Sequence, residues 1–452
     1  MKEQTIDFEN ENVSTLFRRL FFPTLSGMLS VSAVTTIDGI FIGHGIGSDG
    51  IAAVNICIPL LMILTGIRLM GGVGSSVIAS IHLAKGKRHM ARACITHTLL
   101  FVSVVTLIPI VLIFLVPQKA AHFLGSSDHL LPLVMDYLIW FAPSLVFELW
   151  IAIAMFALRL DGVPKLAMWC SIIAALSNVF LDWLFIFPCG WGMAGAAFAT
   201  TLSCAAGAAV AMYYLLFQAR DVRLHFIRIN IKGLLFFCRD IVCQCKIGSS
   251  ALLGEATMAV LMFVGNQIFM RYLGDNGVSA FGVSCYYLPF VFMIGNAIAQ
   301  SAQPIISYNF GIGKEDRVRA AFRISIIAAL ICGSISTAAF TLLPEPLVGL
   351  FLSLDNTAAR IAVAGFPYYG IGFIFFILNL SVIGYYQSIE RVKPAISFAL
   401  LRGFIFLIPC FIVLPGIMGT NGIWLALPFS EILTAVMIIT CFFLARKQPD
   451  IR

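Results

Sequence analysis

The chain has 452 residues, 60% of them hydrophobic and only 11% charged. That balance excludes an ordinary soluble domain and places the chain in a bilayer. The formal charge of +7 would suit nucleic acid if the basic residues formed one patch, but they recur in every second loop, so their placement reports membrane topology instead.

The opening MKEQTIDFENENVS is polar and acidic. It lacks the basic start and early apolar core of a cleavable signal, so the first span is expected to be retained. Apolar length and Gly/Pro punctuation then predict spans near 16–43, 51–83, 91–116, 130–159, 164–187 and 192–217. A basic connection over 218–245 follows, and a second set is predicted near 243–273, 278–310, 318–343, 357–387, 393–415 and 420–445. The fold class is therefore all-α membrane protein, with twelve transmembrane helices in two six-helix lobes, 1–217 and 246–452. Lys2, Arg18, Arg19, Lys85, Lys87, Arg88, Arg92, Arg159, Lys165, Arg228, Lys232, Lys314, Arg317, Arg391, Lys393, Arg446, Lys447 and Arg452 are among the basic residues on one side; the other side holds only Lys119, Arg271 and Arg360. The positive-inside rule puts both termini and the connection in the cytoplasm of a plasma-membrane protein.

One constant shift of 227 positions lays the second set on the first. Gly47, Gly50 and Ala53 meet Gly274, Gly277 and Ala280. Ser80, Gly86, Lys87, Arg92 and Ala93 meet Ser307, Gly313, Lys314, Arg319 and Ala320, and Gly192, Gly195 and Ala199 meet Gly419, Gly422 and Ala426. A single ungapped register points to duplication. An even number of spans per half makes the repeat parallel, and two such lobes leave a cleft that can open to either side in turn. A chain that contains its own cleft needs no second copy, so a monomer is expected.

Charge inside a span costs a few kcal/mol, so the intramembrane ionisable residues are the functional candidates. They are Asp38, Arg68, Glu148, Asp182, Glu255, Arg402 and Glu431. Asp182 shares a helix face with Asn178 at the i, i+4 spacing. With Asp38 and Thr200 or Thr201, these oxygens would suit a small hard cation, and two neighbouring carboxyls can equally share a proton; a polar cluster that merely joins helices is the alternative. Glu255 either pairs with Arg402 or Arg68 or serves a second cation site. Glu148 and Glu431 are helix-packing or cavity-lining carboxylates, and the aromatic and Met content, including Met155 and Tyr287, would suit a cavity for flat apolar cations. Pro23 interrupts the first helix and could act as a hinge, or as a fixed kink.

Twelve cysteines fall mostly in apolar runs and read as packers, with no metal-site spacing. Neither a phosphate-cradling Gly-rich loop nor a hydrolase, protease or kinase signature occurs, so no cofactor and no enzymatic chemistry is expected, and the energy must come from a gradient.

Residues 158–203, LRLDGVPKLAMWCSIIAALSNVFLDWLFIFPCGWGMAGAAFATTLS, resemble the signature over spans 4 to 6 of the multidrug and toxic compound extrusion (MATE) family. The resemblance rests on the basic Gly-Pro loop, the Asn-x-x-x-Asp of Asn178 and Asp182, and the small-residue run from Gly192 to Thr200. Counterparts in the second half are AQPIISYNFGIGK, GYYQSIERVKP and GTNGIWLALPFSE. The resemblance implies two six-helix bundles in a V, exporting drug-like compounds in exchange for H+ or Na+, as in the family's bacterial branch. It implies a first-lobe cation site of Asp38, Asn178, Asp182 and Thr200, and a bending first helix at Pro23. Glu255 matches a second-lobe acid of one branch whose partner acids are not evident here. A lipid-linked saccharide flippase or polysaccharide exporter of related topology is the alternative; its basic cavity would have only Arg68 and Arg402 to draw on.

Overall fold

The computed structural model describes residues 6–225 and 231–447. Lys2, Arg228 and Arg452, and the side chains of Lys232, Arg446 and Lys447, assigned above to the inner side, lie outside the description. Nearly all of the rest is helix. With no water in the hydrocarbon to satisfy a free N–H or C=O, the backbone must bond to itself within each segment.

The first six spans are α1 (Val13–Gly45), α2 (Ser48–Ala84), α3 (Arg88–Leu115), a bent pair α5 (Leu131–Phe141) and α6 (Ser144–Leu160), α7 (Pro164–Ile186) and α8 (Gly192–Tyr213), with a short α4 (Pro117–Phe123) after α3. Then come α9 (Ile231–Gly311), α10 (Glu315–Leu342), a short α11 (Pro344–Gly349), a second bent pair α12 (Thr357–Gly370) and α13 (Gly372–Ser388), α14 (Val392–Leu400), a π-helical turn (Leu401–Ile405), α15 (Leu407–Met418) and α16 (Thr420–Lys447). Nine of these helices are long and apolar enough to cross a membrane, or eleven with each bent pair counted as one span. The apolar part of α9, at 79 residues, would reach about 120 Å, several hydrocarbon thicknesses. It is divided at Gly274, which leaves helical geometry at φ 61° and ψ −156°.

The internal repeat is written in the backbone. Positive φ occurs at Gly47 and Gly274, at Gly86 and Gly313, and at Gly192 and Gly419, each pair separated by the shift read from the sequence. A side chain at such a position would meet its own backbone, so glycine is kept in both copies. Pro117 and Pro344 open the short helices α4 and α11 at the same separation, and the bent pairs have matching angles of 46° and 45°.

The chain divides into two compact units. The first comprises residues up to Leu252 with Gln300–Ala321 and Gln387–Glu390; the second comprises Leu253–Ala299, Phe322–Tyr386 and the chain from Arg391 on. In the first unit α7 packs on α8 and α1, and α2 on α3 and α6. Ile42, Cys57, Ile113, Tyr137 and Phe141 belong to its buried core. Helices α2 and α9 meet backbone to backbone: a Cβ on Gly74 would stand 2.1 Å from the Gln244 carbonyl oxygen, and one on Gly248 1.9 Å from that of Met70. Such close crossings, allowed by small residues, are how helices associate where lipid is as apolar as leucine.

α9 begins at Ile231, ahead of the expected span start near 243. Its first turns are anchored by a polar network on α3: His97 Nδ1 lies 2.6 Å from Asp240 Oδ2, Gln244 Nε2 donates to the same oxygen at 2.9 Å, and Thr98 bonds Gln244. The segment before α1 is also docked. Phe8 is buried against Tyr308, its carbonyl accepts from Asn309 Nδ2 and Arg317 Nη2 at 3.0 Å each, and Glu9 pairs with Lys314 at 2.9 Å. The Asn10 side chain, ahead of the backbone N–H groups of Glu9 and Asn10, holds the Asp7 carboxyl below its usual range and fixes this turn.

The second unit is held by an aromatic core in which Phe269, Phe281, Phe366, Tyr369 and Trp424 stack or meet edge to face. Gly248→Ala should lower the stability of the purified protein by about 1–3 kcal/mol in thermal unfolding, because the new methyl meets backbone that cannot rotate away. Gly416→Ala, with nothing within 4 Å, should be neutral or slightly stabilising.

Candidate functional site: a buried acid pair and three intramembrane partners

The structure brings Asp38 of α1 and Asp182 of α7 together. Their carboxyl groups are near enough to interact directly, and Asp182 is completely buried. Both Asp182 oxygens and Asp38 Oδ1 are shielded from solvent and accept no hydrogen bond from any described residue. No described Lys, Arg or His stands within salt-bridge distance of either. Asn178, one turn before Asp182, is also buried and donates from Nδ2 to Thr200 Oγ1 of α8 at 3.3 Å, while Thr200 in turn donates to the Ala196 carbonyl at 3.2 Å. Thr201 is turned away, bonding the Trp140 carbonyl at 2.6 Å. The close packing of α7 on α1 and α8 makes this convergence possible: Gly27 of α1 lies against the Met168 backbone, and Gly207 of α8 against the Cys170 carbonyl.

Two like-charged groups in contact cannot both stay ionised in a dry interior without a proton or a cation between them. The donor set is all oxygen apart from the amide nitrogen, which suits a small hard cation as well as a proton. Among the described residues no group of three His, Cys, Asp or Glu could hold a metal ion. Tyr137, buried and within electrostatic reach of Asp38, Asp182 and Glu148, belongs to the same interior. Sequence reading passed over it because a Tyr in an apolar run carries no charge to mark it. Pro23 lies inside α1, below Asp38.

Four of the five other intramembrane charges form two ion pairs. Arg68 of α2 binds Glu148 of α6. In the second unit Arg402 Nε donates to Glu431 Oε1 at 2.8 Å, Asn379 Nδ2 donates to Glu431 Oε2 at 2.7 Å, and the guanidinium lies 4.1 Å from the Phe376 ring centroid. Both side chains of that pair are 1% exposed. The two arginines considered as partners for Glu255 are thus each held by another carboxylate; Glu255 itself is buried in α9. Tyr287 donates its hydroxyl to the Leu347 carbonyl at 2.8 Å and packs edge-on to Phe340 and Phe351. Met155 Sδ accepts from Ser171 Oγ at 3.3 Å, and its carbonyl accepts from Arg159 Nε at 2.8 Å.

The sequence model of the family described as MatE matches this chain twice, over residues 23–184 and 251–412. The chain belongs to the MatE family. The two matches follow the repeat, one on each half. Its relatives include a protein named FAD transporter from Shewanella oneidensis, 24% identical over 96% of this chain and 95% of that protein. A probable multidrug resistance protein NorM from Burkholderia mallei is 25% identical over 80% of this chain and 76% of its own length. The crystal structure of a mutant of the Vibrio cholerae MATE transporter VcmN superposes with a TM-score of 0.87 at 19% identity, covering 97% of this chain and 98% of that one. An outward-facing multidrug resistance MATE family transporter of the MOP superfamily reaches 0.86 at 18% identity over 96% and 97%. This MatE protein is accordingly an all-α, multi-pass membrane transporter and not an enzyme, and its family uses no organic cofactor.

The neutral pair of the second unit yields a stability prediction. Arg402→Met should cost about 3–5 kcal/mol in thermal unfolding, because it strands Glu431 in an apolar interior, whereas the double change Arg402→Met with Glu431→Met should recover most of that loss.

Proposed function

We propose that this MatE transporter exports organic, cationic or amphipathic, drug-like compounds across the plasma membrane in exchange for H+ or Na+, and that the coupling ion binds at Asp38 and Asp182 with Asn178 and Thr200. The observation that carries the reading is the charge balance of the first unit: two acids in contact, Asp182 fully buried and Asp38 partly so, with no described cation beside them. A proton or sodium ion taken from outside would offset one of the pair's two negative charges and draw α1 and α7 together. Its release would loosen α1, with Pro23 as the point where the missing backbone hydrogen bond lets the helix bend.

In this reading the chain works as two six-helix lobes, 1–217 and 246–452, joined by the cytoplasmic connection 218–245. Both termini face the cytoplasm, as the distribution of basic residues supports. It acts as a monomer. Met155 and Glu148 in the first unit are the cargo contacts; Tyr287 and Glu431 in the second are engaged with neighbouring groups and serve packing. Glu255 is not required for coupling. The saccharide-exporter alternative loses support because Arg402 is fully enclosed with Glu431, which leaves only Arg68 of the two arginines that would make its cavity basic. The Shewanella relative's name makes a flavin nucleotide a second cargo worth assaying.

In proteoliposomes, an imposed proton gradient or an imposed sodium gradient should drive cationic dye efflux with no other energy source. Asp38→Asn and Asp182→Asn, inserted at wild-type level, should each slow that efflux at least tenfold, and full-rate efflux by either variant would refute the site. Glu255→Gln should retain the wild-type rate.

A further inference from the structure

The two ion pairs inside the membrane differ in a way that separates packing from recognition. Arg402 and Glu431 are fully enclosed and further tied by Asn379. Arg68 and Glu148 keep 22% and 26% of their side chains exposed, although Arg68 lies near the middle of α2 and Glu148 near the middle of the bent span α5–α6. A partly open ion pair at that depth is costly against hydrocarbon. Other helices of the first unit flank it. Cys204 of α8 lies within electrostatic reach of both groups, Trp150 Nε1 on α6 donates to Ser103 Oγ of α3 at 3.1 Å, and Gly72 of α2 packs on Phe156 of α6. Tyr137, buried in the same unit, is within electrostatic reach of Glu148, Asp38 and Asp182 alike.

The contact itself is incomplete. Arg68 reaches Glu148 through Nη1 alone, a single bond where the guanidinium fork can hold a carboxylate or phosphate by two. The remaining N–H groups of Arg68 make no hydrogen bond to any described residue, and 22% of the side chain is left exposed.

We propose that Arg68 recognises an organic anion, a carboxylate or phosphate group on the cargo, and that Glu148 is its resident counter-ion, displaced when such cargo arrives. This rests on the reading that the first unit handles cargo and cation together. Displacement leaves Glu148 without its partner, so anionic cargo adds one uncompensated carboxylate to the first unit that already holds Asp38 and Asp182. Cationic cargo meets the same pair from the other side, on Glu148. One amphoteric subsite thereby admits cargo of either sign.

Two dyes of one ring size test this: fluorescein, an anion, and rhodamine 6G, a cation, in phosphatidylcholine proteoliposomes and in equilibrium binding by fluorescence polarisation. The wild-type protein should bind and export both. Arg68→Gln should weaken fluorescein binding by about 10-fold or more, the worth of a charge-assisted hydrogen bond, and, by freeing Glu148, tighten rhodamine 6G. Glu148→Gln, which frees the guanidinium, should tighten fluorescein binding and weaken rhodamine 6G. Equal losses for both dyes in both variants would make the pair structural and overturn the inference. So would a wild-type protein that exports rhodamine 6G but neither binds nor exports fluorescein, a result that leaves the cation-exchange reading standing; no movement of either dye under either gradient would remove that reading and the inference together. If Arg68→Gln does not fold, Arg68→Lys and Glu148→Gln decide by the same opposed shifts. Fluorescein binding that phosphatidylglycerol abolishes in the wild type would assign Arg68 to a lipid headgroup and overturn the cargo assignment.

Discussion

A charge inside hydrocarbon must find an opposite charge, a proton or a cation, and this MatE transporter meets that constraint in three different ways. Arg402 and Glu431 neutralise each other completely and are closed off by Asn379 and Phe376. Arg68 and Glu148 neutralise each other while remaining partly exposed. Asp38 and Asp182 do not neutralise each other, since both are acids. The first arrangement is complete without a ligand; in the proposed reading the second exchanges one anion for another and the third is completed by an ion from outside. Function follows that gradation of balance, because a site that the protein's own side chains already satisfy has nothing to take up or release.

Duplication supplied the frame in which this asymmetry arose. Glycines with positive φ recur in register through both halves, as do the prolines that open the short helices and the bends that split the fourth and tenth spans. The charged residues do not follow the register. The positions equivalent to Asp38 and Asp182 hold Gly265 and Pro409, so the second copy has no acid pair there. Backbone geometry was preserved across the two copies while side-chain chemistry diverged.

Much of this was legible in the residues because bilayer physics leaves few choices. Apolar length located the spans to within a few residues in most cases, and Asn178 and Asp182 are visible together through helical spacing. What could not be read was partnership between segments far apart in the chain. Arg68 and Glu148, or Arg402 and Glu431, carry no local mark of each other, so the arginines were open to Glu255 as well. The start of α9 was hidden for a related reason: a basic stretch reads as connection, and only the buried His97 on α3 explains why Asp240 and Gln244 continue a helix there. Tyr137 was invisible because an uncharged ring in an apolar run resembles any other.

The central claim is that the acid pair holds the coupling ion and gives it up when cargo binds. The most direct measurement is ion release in weakly buffered detergent solution, with proton and sodium electrodes following the addition of rhodamine 6G to purified protein. The account predicts release of a proton or a sodium ion by the wild type and none by Asp182→Asn at equal dye occupancy. Equal release from the two proteins would contradict it.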